Sequence, residues 1–201
     1  MTLVETVTVR ELGRVDYAES FAAMKRFTAE RTEATPDEIW LLQHPPVYTL
    51  GQAARSAGPA NGIPVIQSDR GGDITYHGPG QVVLYGLIDL ARRGIKVKPY
   101  VRLLEACVIE LLGSRGERRE GAPGIYVGGA KIAALGIRVR QGRAYHGLSL
   151  NVDMDLAPFA AIDPCGYPGL AATQMRDLGL PHDPTIIGRQ LASLLSEKLD
   201  A

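Results

Sequence analysis

GIYVGGAKIAALGIRVRQGRAYHGLSLNV, residues 124–152, decides the fold. Gly128-Gly129 separates two strand-like runs as a two-residue hairpin loop, and Gln141-Gly142 is a second, weaker turn signal before RAYHGLSLNV. A three-stranded antiparallel meander follows. If the second loop has two residues, Ala134, Leu135 and Gly136 lie opposite Ser149, Leu148 and Gly147. Alternation then gathers Ala134, Gly136, Gly147 and Ser149 on one face, a floor almost without side chains. Such a floor leaves room for a ligand or for another backbone. The same alternation sends Lys131 to the opposite face. A bulge near Gly129-Ala130 would bring it back, and glycines often mark bulges.

Working outward, residues 4–12 alternate as an opening strand. Residues 16–31 read as a helix, with Asp16 and Glu19 at capping-box spacing and Tyr17, Phe21, Met24 and Thr28 on one face. Residues 38–43 and 46–50 read as strands around the His44-Pro45 break, with His44 a turn or rim residue. Residues 53–64 form a Gly/Pro/Ala-rich loop. Residues 73–77 and 81–90 read as strands joined by Gly78-Pro79-Gly80, a hairpin-like turn. Residues 99–112 make a second helix, with Val101, Leu104, Val108 and Leu111 inward and Cys107 one position off that stripe as a packing residue. After a proline-punctuated stretch, residues 185–199 close the chain as an amphipathic helix with Ile187, Leu191, Leu194 and Leu195 inward. The expectation is one α+β domain over residues 1–201, with a mixed, mostly antiparallel sheet and helices packed on it.

A chain of 201 residues suits one domain. Lys plus Arg equals Asp plus Glu at 22 each, so no global field draws it to nucleic acid or an anionic membrane. Two cysteines fall far short of a disulfide scaffold. The first residues, MTLVETVTVRELG, carry acids and no apolar run, unlike a signal peptide. No stretch approaches the ~18 apolar residues of a membrane span. These features predict a soluble cytoplasmic protein with reduced thiols.

Chemistry concentrates in three small-residue segments. RGGDITYHGPGQ, residues 70–81, combines glycines that let backbone approach a ligand with polar groups that orient it. Lys131 interrupts a small, apolar strand start. Cys165 sits between Pro164 and Gly166, in a loop where a small apolar filler has little to fill. A thiol of ordinary pKa ~8.5 needs a cation or base beside it to react at neutral pH, and Lys131 is the candidate, a solvated surface lysine the alternative. His77, His146 and Cys165 lack metal-ligand spacing, so no metal is expected. No GxxxxGK[ST] or dinucleotide fingerprint occurs, so no nucleotide cofactor is expected either. His182 reads as exposed.

RGGDITYHGPGQ, GIYVGGAKIAALGI, YHGLSLNVDMDL and DPCGYPG, in this order and spacing, closely resemble the lipoyl(octanoyl) transferase family, from about the first strand to Gly169. The resemblance implies a fold related to the catalytic domains of biotin and lipoate ligases. It also implies transfer of an octanoyl group from octanoyl-acyl carrier protein to a lysine of lipoyl domains, those of 2-oxoacid dehydrogenase complexes and the glycine cleavage protein. By motif, Cys165 resembles the acyl-thioester nucleophile and Lys131 the lysine that activates it. Arg70, Gly71, Gly72, Asp73, Ile74, Thr75, Tyr76 and His77 resemble the first substrate-binding segment. Ala134, Leu135 and Gly136 resemble the second, and Gly147, Leu148 and Ser149 the third. Ala134 lacks the hydroxyl that some members carry, so only its backbone is available for hydrogen bonding.

Backbone donors in Gly78-Pro79-Gly80 and Cys165-Gly166 are candidates for an oxyanion site. Arg92, Arg93, Lys96 and Lys98 form the densest basic run and are candidates for steering acidic partners, with Arg138, Arg140 and Arg143 a second group. Two other readings stay open: an ATP-dependent lipoate or biotin ligase of the same fold, and a non-catalytic binder of lipoyl domains or acyl carriers.

Overall fold

Helix α1 (Tyr17–Glu30) starts where its cap dictates. The Asp16 carboxylate accepts from the N–H groups of Ala18 and Glu19 at 2.7 and 3.3 Å, an arrangement worth about 1 kcal/mol. In the computed structural model, which describes residues 7–55, 57–162 and 169–201, this helix buries Tyr17, Ser20, Met24 and Thr28. Helix α2 (Val97–Leu112) buries Tyr100, Leu104, Cys107, Val108 and Leu112. Its inward face is therefore turned by about one position from the expected stripe, and Cys107 lies within it. Burial pushes that thiol up to about 12. Helix α3 (Pro184–Asp200) is capped by Asp183 and turns Ile187, Leu191 and Leu195 inward.

The strands are β1 (Thr8–Arg14), β2 (Glu38–Gln43), β3 (Val47–Leu50), β4 (Val65–Gln67), β5 (Thr75–His77), β6 (Gln81–Asp89), β7 (Glu117–Arg118), β8 (Gly124–Val127), β9 (Ala130–Arg140) and β10 (Arg143–Asn151). Seven make one sheet in the order β1-β2-β6-β10-β9-β8-β7, antiparallel except for β1 and β2. Helices α2 and α3 pack on one face around Leu84, Ile88, Leu104, Val108, Leu150 and Leu191. Helix α1 packs on the other, around Met24, Trp40, Val83, Tyr85 and Tyr145. The α+β class with a mixed, mostly antiparallel sheet is as expected.

A second, three-stranded sheet, β4-β3-β5, was not expected. It overturns the hairpin between residues 73–77 and 81–90: β5 pairs with β3, while β6 pairs with β2 and β10. All nine residues of β6 are buried. Such a strand needs a long neighbour on each side, which the three residues of β5 cannot supply. Gly78-Pro79-Gly80 instead carries the chain from one sheet to the other. Gly80, at φ +85°, passes so close to the Asp153 carbonyl that a β-carbon there would lie 1.7 Å from its oxygen.

Both glycine hairpins form as expected. Gly128, Gly129, Gln141 and Gly142 all have positive φ, as type I′ loops require. Gly136 stands opposite Gly147, Leu135 opposite Leu148, and Ala134 opposite Ser149. The bulge lies elsewhere than Gly129-Ala130. Ile125 faces Ala133 and Tyr126 faces Lys131, so Ile132 is the extra residue. Ile132 and Ala133 consequently both enter the core on the α2 side, and Lys131 shares the opposite face with Ala134. This corrects the placement that simple alternation gave for Lys131.

Arg92 and Arg93 are structural rather than available for docking. Asp37 is fully buried and accepts from Arg31 Nη2 at 2.6 Å, from Arg92 Nη2 at 2.9 Å and from Arg93 Nε. Arg92 also donates to the carbonyls of Glu33 and Thr35, and Arg93 to that of Leu199. Burial alone would raise the Asp37 carboxyl; the hydrogen bonds from Arg93, the Asp89 N–H and Arg31 outweigh it and hold the group below the usual carboxylate value.

Candidate active site

The bulge and the two hairpins set a cleft on the α1 side of the large sheet. Arg70, Gly72, Asp73, Ile74, Thr75 and His77 line it from above, and Lys131, Ala134, Leu135, Gly136, Gly147, Leu148 and Ser149 from the sheet. Three separate sequence segments thus meet in one place. Tyr76 does not line it. Alternation along β5 turns its ring away, against Tyr48 at 5.4 Å and Phe159 at 5.4 Å. Gly71 contributes backbone: its N–H donates to the Ile137 carbonyl at 3.0 Å. Cys165, together with Asp163, Pro164 and Gly166, lies outside the described residues.

The two glycines of the floor line the cleft and also serve close backbone approach. A β-carbon on Gly136 would lie 2.7 Å from the Gly71 oxygen, and one on Gly147 would lie 2.2 Å from the Leu84 oxygen. All four small residues of the expected floor, Ala134, Gly136, Gly147 and Ser149, line the cleft, and a side chain at position 147 would strike β6.

Lys131 is held from three directions. Its stem crosses Gly124, where a β-carbon would meet Cε at 2.6 Å and Nζ at 3.2 Å. Its ammonium lies 5.7 Å from the centre of the Tyr126 ring. Its N–H donates to the Ala171 carbonyl at 2.8 Å, and its own carbonyl accepts from Thr173 N–H at 3.0 Å. Residues 171–173, only a few positions past Cys165, thus run as a short parallel bridge beside it. Only 8% of Lys131 is exposed, so the solvated surface alternative is excluded.

A hydrogen-bonded relay joins the first segment to this point. Arg70 donates to Thr49, through Nε to the hydroxyl at 3.2 Å and through Nη2 to the carbonyl at 2.6 Å. The Thr49 hydroxyl contacts His77 Nε2 at 3.4 Å, and His77 Nδ1 lies 2.7 Å from Gln81 Oε1. Gln81 Nε2 donates to Asn151 Oδ1 at 3.0 Å, and Asn151 Nδ2 to the Thr173 carbonyl at 3.0 Å. Thr49, Gln81 and Asn151 were not among the expected site residues. Gln81 and Asn151 stand inside the quoted motifs, and Thr49 carried no signal of its own.

Beneath the cleft three imidazoles cluster, and burial lowers the pKa of each below the ordinary value. His44 is buried, not on a rim. Its Nδ1 donates to the Val15 carbonyl at 2.6 Å and its Nε2 accepts from the Tyr85 hydroxyl at 2.8 Å. Burial lowers it to about 4. Burial also carries His77 well below the ordinary value; the neighbouring His44 adds to this. His146 is lowered by burial despite the opposing pull of Asp69, whose Oδ1 lies 2.8 Å from its Nε2. His182 is exposed, as expected.

Gly80 cannot serve an oxyanion, because its N–H already donates to Gln43 Oε1 at 2.8 Å. Among the described residues, no three His, Cys, Asp or Glu side chains are grouped to hold a metal ion. No helix among them is long and apolar enough to cross a membrane.

This architecture has relatives. Residues 16–186 match the family described as the lipoyl protein ligase A/B catalytic domain. An octanoyltransferase of Dechloromonas aromatica is 57% identical over 197 residues, 96% of each chain. The bipartite lipoate protein ligase of Thermoplasma acidophilum superposes with a TM-score of 0.78 at 16% identity, over 96% of this chain and 84% of that one. The biotin protein ligase of Aquifex aeolicus gives 0.56 at 12% identity, over 96% and 70%. The last two carry the fold alone. The first two carry the family: the chain belongs to the lipoyl protein ligase A/B catalytic-domain family and, within it, to the octanoyltransferases.

Proposed function

We propose that this acyltransferase moves an octanoyl group from octanoyl-acyl carrier protein, through a thioester on Cys165, to a lysine amine of lipoyl domains. The acceptors are the lipoyl domains of 2-oxoacid dehydrogenase complexes and the glycine cleavage protein, in the cytoplasm. The Cys165 thiolate attacks the carrier thioester, the carrier thiolate leaves and takes the proton of the Lys131 ammonium, and octanoyl-Cys165 remains beside a free Lys131 amine. The acceptor amine then attacks that carbonyl, loses a proton to Lys131 as the amide forms, and expels the Cys165 thiolate. In the first step the Lys131 ammonium favours the thiolate; in the second, as a free amine, it is the base. Thioester cleavage drives amide formation, so no nucleotide is consumed.

The observation that carries this reading is the bridge between Lys131 and residues 171–173. It holds residues 171–173, six to eight positions past Cys165, beside the buried lysine. A transfer assay with octanoyl-carrier protein, a lipoyl domain and no ATP tests it. The wild type should octanoylate the domain, and Cys165→Ser should not. Transfer that requires ATP, or persists in Cys165→Ser, would refute it.

A further inference from the structure

The inner end of the cleft is closed by Tyr17, His77, Tyr85 and His146, each at most 5% exposed. His146 stands out among them for two independent reasons. It has φ +62° in the middle of β10, a left-handed conformation that costs a non-glycine residue on the order of 1–3 kcal/mol. Its ring is also pinned. Asp69 is held below the usual carboxylate value by the hydrogen bonds from His146 and Tyr145, which outweigh its burial. An ionised carboxylate only accepts, so His146 carries its proton on Nε2, donated to Asp69. Tyr145 donates to the other Asp69 oxygen. Nδ1 is left as a buried lone pair with no hydrogen-bond partner among the described residues. Phe21 and Tyr85 pack at 5.4 and 6.0 Å from the imidazole. A strained, clamped and packed ring at the end of a cleft is a rigid stop.

We propose that His146 sets the length of the acyl chain, a reading that rests on the thioester mechanism above. Strand register gives the distance. Lys131 Nζ lies over Gly124, which pairs with Ala134, so a carbonyl within reach of that amine lies near the Ala134–Ser149 row. His146 pairs with Ile137, three residues along β9. At ~3.3 Å per residue that interval is roughly 10 Å. The seven C–C bonds of an octanoyl chain, ~1.5 Å each in an extended zigzag, project to roughly 9 Å. Eight carbons reach the stop; ten, at roughly 11.5 Å, overrun it by about 1.5 Å. A wall that could rotate away would accept both. Asp69, which does not touch the chain, is the positioning residue that prevents rotation.

His146→Gly suits the test, because glycine accepts the observed φ without strain and removes the ring. Acyl-enzyme formation is followed by intact mass with octanoyl- and decanoyl-carrier protein in separate reactions. The decanoyl-to-octanoyl ratio of kcat/KM should rise at least tenfold in His146→Gly. Asp69→Asn, which keeps the shape and frees the ring, should raise it by a smaller factor. An unchanged ratio in a His146→Gly enzyme that still loads octanoate overturns the stop and leaves the thioester reading intact. Failure of the wild type to load octanoate on Cys165 overturns that reading instead. If His146→Gly does not fold, His146→Asn, which also tolerates positive φ, is measured in its place under the same criterion.

Discussion

Gly136 of β9 and Gly71 of the segment above it meet backbone to backbone: a β-carbon on Gly136 would lie 2.7 Å from the Gly71 oxygen. That contact lets the Arg70–Gly71 peptide roof the cleft while Arg70 reaches Thr49. Gly136→Ala should therefore force the roof away, at an overpacking cost of about 1–3 kcal/mol. Differential scanning calorimetry should show a lower melting temperature, and octanoyl transfer should fall by more than tenfold. Full activity with an unchanged melting temperature would show that the roof yields freely.

Lys131→Met keeps most of the stem and removes the charge. The alkylation rate of Cys165 against pH should then move towards the ~8.5 of a free cysteine, and transfer should drop by about 10²–10⁴. An unchanged alkylation profile would mean that another group activates the thiol.

Acid should weaken the fold through its buried imidazoles. The folded-state value of His44 lies near 4 against an ordinary 6.5, so between those values the unfolded chain binds more protons. The stability contributed is complete above about 6.5 and is lost as the pH falls towards 4. The loss is on the order of 3 kcal/mol for this residue. His77 and His146 shift in the same direction. Urea unfolding from pH 7 to 4.5 should show the decline, and His44→Gln should flatten it by about one proton. An equal slope in the variant would assign the protons elsewhere.

Reversing the two arginines at Asp37, with Arg92→Glu and Arg93→Glu, leaves a buried carboxylate facing like charge. Breaking such a pair costs on the order of 3–5 kcal/mol. The variant should be impaired equally with octanoyl-carrier protein and with a small octanoyl thioester. Selective loss with the carrier would restore these residues to a docking surface.

The contrast between those arginines and the β9–β10 hairpin shows what the sequence made legible. Turn residues fix register locally, so the pairing of Ala134, Leu135 and Gly136 with Ser149, Leu148 and Gly147 could be read from the glycine spacing. The bulge at Ile132 could not, because Lys-Ile-Ala-Ala carries no glycine there and its position depends on which side chains the α2 face needs. The second sheet leaves no local signal, because β4 and β5 have three residues each and pair with a strand distant in sequence. His44 and Arg92 looked like surface groups. Their partners, Tyr85 and Asp37, lie 41 and 55 residues away, and no local pattern announces such a contact.

Intact mass spectrometry after incubation with octanoyl-carrier protein bears most directly on the thioester at Cys165. The protein should gain one octanoyl group, mapping to Cys165 on peptide digestion and released by neutral hydroxylamine. Lys131→Met should load far more slowly, and Cys107→Ser should load as the wild type does. No mass gain, or an octanoyl group mapped to Cys107 or to a lysine, would contradict the mechanism.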